Sequence, residues 1–311
     1  MRSSSAEEPA DMSVLTAPRT FKRRRREPQP DLPKSLQPSL AARVLGKSVM
    51  ILVLFYFLAP IAWLIISSTK SNNQLYTSSP IAPGDQLVAN YNALMAWTQG
   101  HFWRWVGNSV LYSTVAGVGG TLVSVAAGYG LAKFRIPGKG AIQGVVLAGL
   151  LMPIALLTVP LYLLFHSLGL VNTMWAIIIP SLVSPFGVFL GRFYVDSTVP
   201  DELLEAARLD GAGEVRIFFS IVLRLLAPAM VTIFLFIFVA TWNNFLLPLM
   251  MISSPELKPV TLGLYGMMSY FNPVYGAVLQ GALLGVIPLV ILFLGLQRYW
   301  QAGLTSGSVK A

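Results

Sequence analysis

Asp201, Glu202, Glu205, Arg208 and Asp210 crowd the stretch Pro200–Gly213, which lies between two long apolar runs. Carboxylates at helical spacing pair with cationic partners, and small side chains between them let another surface come close. The segment reads as a helix with a defined start and stop. Pro200 suits a first helical position. Asp201 and Glu202 meet the positive end of the helix dipole, and Gly211 supplies the left-handed residue that ends a helix. Leu203, Ala206, Ala207 and Asp210 fall on one stripe, with Glu202, Glu205 and Leu209 beside it. Composition alone leaves two readings open, a docking surface or a solvated connector.

Other chemistry is sparse. None of the 13 acids falls inside a predicted span, whereas ion-coupled carriers and proton relays place carboxylates there. His101 and His166 are the only histidines and lie far apart in sequence. A metal site or a histidine-based catalytic pair needs closer partners, so both read as interfacial residues. No glycine-rich GxxxxGK[ST] phosphate loop occurs, which argues against nucleotide hydrolysis in this chain. With no cysteine there are no disulfides, and the redox compartment stays undetermined.

The elements that must position the charged stretch are membrane spans. Hydrophobic residues make up 55% of the 311 and charged ones 11%, against about 25% charged in soluble domains. Apolar runs place spans near 49–67, 108–132, 141–165, 174–194, 228–251 and 275–296, each long enough for a hydrocarbon core of ~30 Å. Phe102-Trp103-Arg104-Trp105 suggests an interfacial helix lying flat before the second span. Gly117, Gly119, Gly120, Gly128 and Gly130 in that span would admit a close neighbour. Pro153, Pro160, Pro180 and Pro185 interrupt the third and fourth.

Residues 1–46 are polar and rich in Pro and Ser, so disorder is expected. Their run Lys22-Arg23-Arg24-Arg25-Arg26 could bind nucleic acid or lipid headgroups. The span that follows about twenty residues later favours a cytoplasmic retention signal. The first apolar run lies too far from Met1 for a cleaved signal peptide. Of the 22 Lys and Arg, only Lys70, Arg104 and Lys258 fall outside if the N-terminus is inside. The positive-inside rule therefore places both termini and the charged stretch in the cytoplasm. The +9 net charge follows membrane topology, and no nucleic-acid partner is expected.

Glu205-Ala206-Ala207-Arg208-Leu209-Asp210-Gly211-Ala212, with Ile221-Val222-Leu223 and Pro228, resembles the EAA loop of ABC importer permeases. The flanks resemble the carbohydrate branch, specifically its maltose-permease-G-like subunit. They include Asn108-Ser109, Ala126-Ala127-Gly128-Tyr129 with Lys133-Phe134-Arg135, and Thr241-Trp242-Asn243-Asn244-Phe245. Pro255-Glu256-Leu257, Thr261-Leu262-Gly263-Leu264 and the ending Gly303–Lys310 complete the series, which runs from about residue 50 to the C-terminus. Two positions depart: Arg224 stands where the family usually has proline, and Asn244 where it is often acidic. Arg224 is expected to snorkel to the interface and to alter the bend into the fifth span.

The resemblance implies an all-α integral membrane protein of the bacterial cell membrane. Six transmembrane helices would form a type I importer core carrying a cytoplasmic EAA loop at about 196–224. The domain order would be an extension at 1–46, a first helix at 47–68 and an extracytoplasmic loop at 69–106. A permease core at 107–298 and a cytoplasmic tail at 299–311 would follow. In such importers the loop folds as two short helices joined near Gly211 and sits in a groove of a cytoplasmic ATPase. Glu205 would pair with a basic residue there, Ala206 and Ala207 would pack closely, and Asp210 and Gly211 would complete the coupling set. Partners would be a second homologous permease, an ATPase dimer, an extracytoplasmic sugar-binding protein, the sugar and the lipid bilayer. The chain would be no enzyme and hold no cofactor, because ATP and Mg would bind the partner ATPase. Trp242, Asn243 and Asn244 suit a sugar, since an aromatic face and amides match apolar ring faces and hydroxyls. The asparagines also suit hydrogen bonds to a neighbouring helix, and that is the favoured reading of the two. An importer for a glycerol-phosphate compound, a stand-alone carrier or channel, and an intramembrane enzyme are the competing functions.

Overall fold

The computed structural model describes residues 39–268 and 274–306, with side chains to residue 299. Every described element is helical. The chain divides into two compact units, Met1–Tyr56 and Phe57–Ala311, and helix α1 (Leu40–Ser67) crosses that boundary. Residues 40–46, expected to be disordered, open α1 instead. The basic run at 22–26 lies outside the described residues.

In the second unit, α2 (Asn72–Thr77) and α3 (Leu87–Trp97) precede the long α4 (Phe102–Lys133). Phe102–Trp105 is therefore the first turn of α4 and not a separate interfacial helix. Nothing in Val106-Gly107-Asn108 breaks the helix, and Phe102 and Trp105 are buried in the core rather than left at an interface. Next come α5 (Lys139–Leu151), α6 (Ile154–Ser167), α7 (Trp175–Ser181) and α8 (Pro185–Thr198). The third predicted span is bent by 106° between α5 and α6. Met152 precedes Pro153 and is held extended (ψ 124°), which closes α5. The fourth restarts at Pro185, where the Ser184 hydroxyl accepts the Gly187 N–H at 3.0 Å.

Beyond α8 lie α9 (Asp201–Leu209), α10 (Glu214–Ile217), a π-helical turn at Phe218–Val222, and α11 (Leu223–Leu225). Then follow α12 (Ala227–Trp242), α13 (Leu246–Met251), α14 (Val260–Tyr265) and α15 (Tyr275–Ser306). The limb Glu214–Leu225 meets α12 at 84°. Pro228 has no N–H to give the Arg224 carbonyl, so the helix breaks at Leu226. Among the described residues four helical stretches are long and apolar enough to cross a membrane: Leu40–Ser67, Phe102–Lys133, Trp175–Thr198 and Tyr275–Tyr299. The two bent pairs raise this to six if each counts as one span.

Helix α4 is the axis on which the rest is packed. Its strongest neighbours are α8 and α12. A Cβ on Gly128 would lie 2.5 Å from the Arg192 nitrogen, and one on Gly191 would lie 2.8 Å from the Ser124 carbonyl oxygen. The α4 and α8 backbones thus touch where only glycine fits. Gly117 faces Phe234, and Gly119 and Gly120 face Leu182 and Ile237, while Gly130 meets open space and has no such role. One buried cluster joins α4 to the charged segment through Val125, Tyr129, Leu204, Ile217 and Val222. A second gathers Phe102, Trp105, Phe238 and Trp242 at the other end.

Candidate docking site

Helix α9 has the boundaries its sequence implies, with one shift: Pro200 is the residue before the first turn rather than in it. Asp201 and Glu202 occupy the first turn. At the far end Gly211 takes φ +80°. The Gly211 N–H donates to the Arg208 carbonyl and the Ala212 N–H to that of Ala207, both at 3.0 Å. This pair of bonds is the Schellman closure of a helix. The chain then turns back at once into α10.

Two apolar anchors hold this elbow to the bundle. Leu204 from α9 is 1% exposed and Ile217 from α10 is fully buried, both against Val125 and Tyr129 of α4. Three polar contacts add to them. Lys133 Nζ donates to Asp201 Oδ1 at 2.6 Å. Arg208 Nε donates to Glu214 Oε1 at 2.6 Å across the elbow. Tyr129 Oη donates to Glu214 Oε2 at 3.0 Å. The Arg208 guanidinium holds the Glu214 carboxyl below its ordinary range against the opposing effect of burial, and the Tyr129 hydroxyl adds a smaller push in the same direction as Arg208.

The sequence missed this Tyr129–Glu214–Arg208 set. Its one legible sign is Tyr129 and Lys133 spaced i, i+4 on the last turns of α4, which puts both on one face. The rest depends on the Gly211 reversal.

What remains outward is the candidate surface. Glu202, Glu205, Ala206 and Asp210 are exposed, with Leu203 beside them, while Ala207 turns toward the core. Leu209 is 89% exposed, and Val215 and Phe219 on the second limb are also well exposed. The elbow therefore presents apolar and acidic groups together on a rigidly anchored support, which suits protein docking.

Trp242, Asn243 and Asn244 stand at the other end. The fifth predicted span stops at Trp242 rather than running to 251, because Asn243–Phe245 leave the helix before α13. Trp242 is 3% exposed and stacks on Phe238 at 5.8 Å. Asn243 is exposed. Asn244 is half-buried; its side-chain oxygen accepts the Leu247 N–H at 3.4 Å.

The motifs at 108–109 and 255–264, far apart in sequence, meet here. Asn108 Nδ2 donates to the carbonyls of Glu256 at 2.7 Å and Lys258 at 3.0 Å. Trp105 Nε1 donates to the Pro255 carbonyl at 2.7 Å and Tyr112 Oη to that of Leu257 at 3.0 Å. Ser109 Oγ accepts the Val260 N–H at 2.9 Å.

Residues 120–306 match the family model described as the binding-protein-dependent transport system inner membrane component. The chain belongs to this family. Among its relatives, the arabinooligosaccharides transport system permease protein AraQ of Halalkalibacterium halodurans is 35% identical over 83% of this chain and 93% of its own. The lactose transport system permease protein LacG of Rhizobium radiobacter is 33% identical over 85% and 94%. A chain in the crystal structure of a bacterial ABC transporter involved in the import of the acidic polysaccharide alginate superposes with a TM-score of 0.72. It covers 85% of this chain and 99% of its own, and at 22% identity the likeness is one of fold. Family membership and the apolar helices make this chain a multi-pass membrane component of a binding-protein-dependent transport system.

Proposed function

We propose that the chain is the permease subunit of an ATP-driven importer for a carbohydrate, an oligosaccharide by the substrates for which its relatives are named. Six spans cross the bacterial cell membrane in this reading, each bent pair counting as one, with both termini and the elbow in the cytoplasm. The carrying observation is the elbow itself, two short helices reversed at Gly211 and anchored through Leu204 and Ile217 with their acidic and apolar groups outward.

A separate ATPase dimer seats on that surface, binds ATP and Mg, and closes. Because the elbow is fixed to α4 and leads into α12, its displacement becomes rigid-body movement of the spans. A second homologous permease completes the pathway, and a sugar-binding protein delivers substrate at the Trp105 end. Glu205 pairs with a cation of the ATPase, while Ala206 and Gly211 allow close approach.

At the break after α12 the exposed Asn243 meets the sugar in this reading, with the buried Trp242 and half-buried Asn244 shaping the break around it. No lysine or arginine lies deep in an apolar helix among the described residues, which disfavours a glycerol-phosphate cargo. Glu205→Arg should lose retention of the ATPase and sugar-stimulated ATP hydrolysis in the purified complex, with membrane insertion unchanged. Full sugar-stimulated hydrolysis by that variant would remove the docking role.

A further inference from the structure

An apolar groove of about 630 Å³ runs between the middle of α4, the start of α12 and the later half of α15. Val118, Leu122, Met230, Phe234 and Leu292 line it, and Arg224 sits at its α11 end. That volume lies within the roughly 300–1,000 Å³ of cavities that hold small ligands. The lining offers almost no polarity. The Thr121 hydroxyl is already committed to the Gly117 carbonyl at 2.6 Å. Arg224 is exposed and has no ion-pair or hydrogen-bond partner among the described residues. No Asp or Glu follows Glu256 in the sequence, so α15 cannot bring a side-chain carboxylate to it.

A guanidinium with its donors free, over a long apolar trough, has the chemistry of an amphiphile site. A sugar would find too few polar partners along these walls, and a neutral apolar helix would leave the Arg224 donors to water alone. We propose that the groove holds an anionic glycerophospholipid, with its phosphate on Arg224 and one acyl chain along α4, α12 and α15. The planar guanidinium suits two phosphate oxygens at once. Arg224 occupies the limb that leads from the elbow to the Leu226 bend, so the lipid would be held beside the joint between docking surface and span.

The test uses the full-length chain, extracted from membranes with whatever subunits it retains and exposed to phosphatidylglycerol or phosphatidylcholine. Retained lipid is counted by native mass spectrometry. Phosphatidylglycerol should be held in preference, and Arg224→Gln should weaken that retention roughly tenfold, the order expected for losing a charge-assisted hydrogen bond. Phosphatidylcholine carries the same phosphate with its charge offset by choline, so its weaker retention should fall by less. Leu122→Trp should expel phosphatidylglycerol with Arg224 intact, because it fills the trough. Equal retention of the two lipids by the wild type, or undiminished phosphatidylglycerol on Arg224→Gln, would overturn the proposal. The chain has no cysteine, so Leu122→Cys gives a single reporter. Labelling by a lipid-borne maleimide supports a lipid site, and disulfide capture by a cysteine in another permease chain would show that protein fills it instead.

Discussion

The two ends of α4 each clamp a segment distant in sequence, with different chemistry. At the Trp105 end, indole, amide and hydroxyl groups of Trp105, Asn108, Ser109 and Tyr112 bond backbone atoms of 255–260. At the Lys133 end, side chains bond side chains: Lys133 to Asp201, and Tyr129 with Arg208 to Glu214. The hydrogen bonds of the first clamp are neutral and fix the main chain, with the half-exposed Glu256 carboxylate 3.7 Å from His101 Nε2 beside them. The second is charged, with Asp201 72% exposed and the Arg208–Glu214 pair about two-fifths exposed. Exposed ion pairs contribute on the order of 0–1 kcal/mol and weaken with salt. Apolar anchors therefore set where the elbow sits, and its ion pairs tune it.

The strongest way to break this contrast is Asn108→Ala. It leaves the carbonyls of Glu256 and Lys258 without their donor, and unsatisfied groups of this kind cost about 1–3 kcal/mol. A loss of that order in thermal unfolding is expected, equal at low and high salt. A loss that shrank as salt rose would mean that the Trp105 end is electrostatic after all.

Glu214→Ala should do less. It removes the acceptor shared by Arg208 and Tyr129, for roughly 1 kcal/mol at low ionic strength and less in high salt. Its larger effect should be local, as faster amide hydrogen exchange over 208–217 while 253–262 keeps its protection. Equal loosening of both segments would show that the clamps are one cooperative unit.

How much of this was legible follows the range of each interaction. The Gly211 stop and the acidic first turn of α9 were readable because helix caps are local. The 106° bend at Pro153 was only half readable: proline marks where a helix can break, while the direction it then takes depends on packing. Phe102–Trp105 misled because aromatics beside a span suggest an interface, yet their partners, Gly263 and the Pro255 carbonyl, lie some 150 residues on. Trp242 misled similarly, since an apolar run continues to Met251 and hides the break at Asn243. Glu214 was invisible, because its pairing with Arg208 exists only after the chain reverses.

Acid offers the gentlest separation of the two clamps. Arg208 lowers the Glu214 carboxyl relative to the unfolded chain, where a glutamate titrates near ~4.3. A depressed folded value means that the stabilisation is complete above the unfolded value and fades as pH falls through the folded one. Between pH 8 and 5 the elbow should therefore keep its exchange protection, and below about 4 it should lose it progressively. The Asn108 bonds use backbone carbonyls of Glu256 and Lys258, so loss of the half-exposed His101–Glu256 contact at 3.7 Å leaves them in place. Exchange measured from pH 6 down to about 3.5, with rates corrected for their intrinsic pH dependence, should show 208–217 loosening while 253–262 stays protected. Glu214→Gln has no carboxyl to titrate and should flatten the response of 208–217. If the variant kept the same acid transition, the loosening would have to come from another group, with Asp201 on Lys133 the next to test.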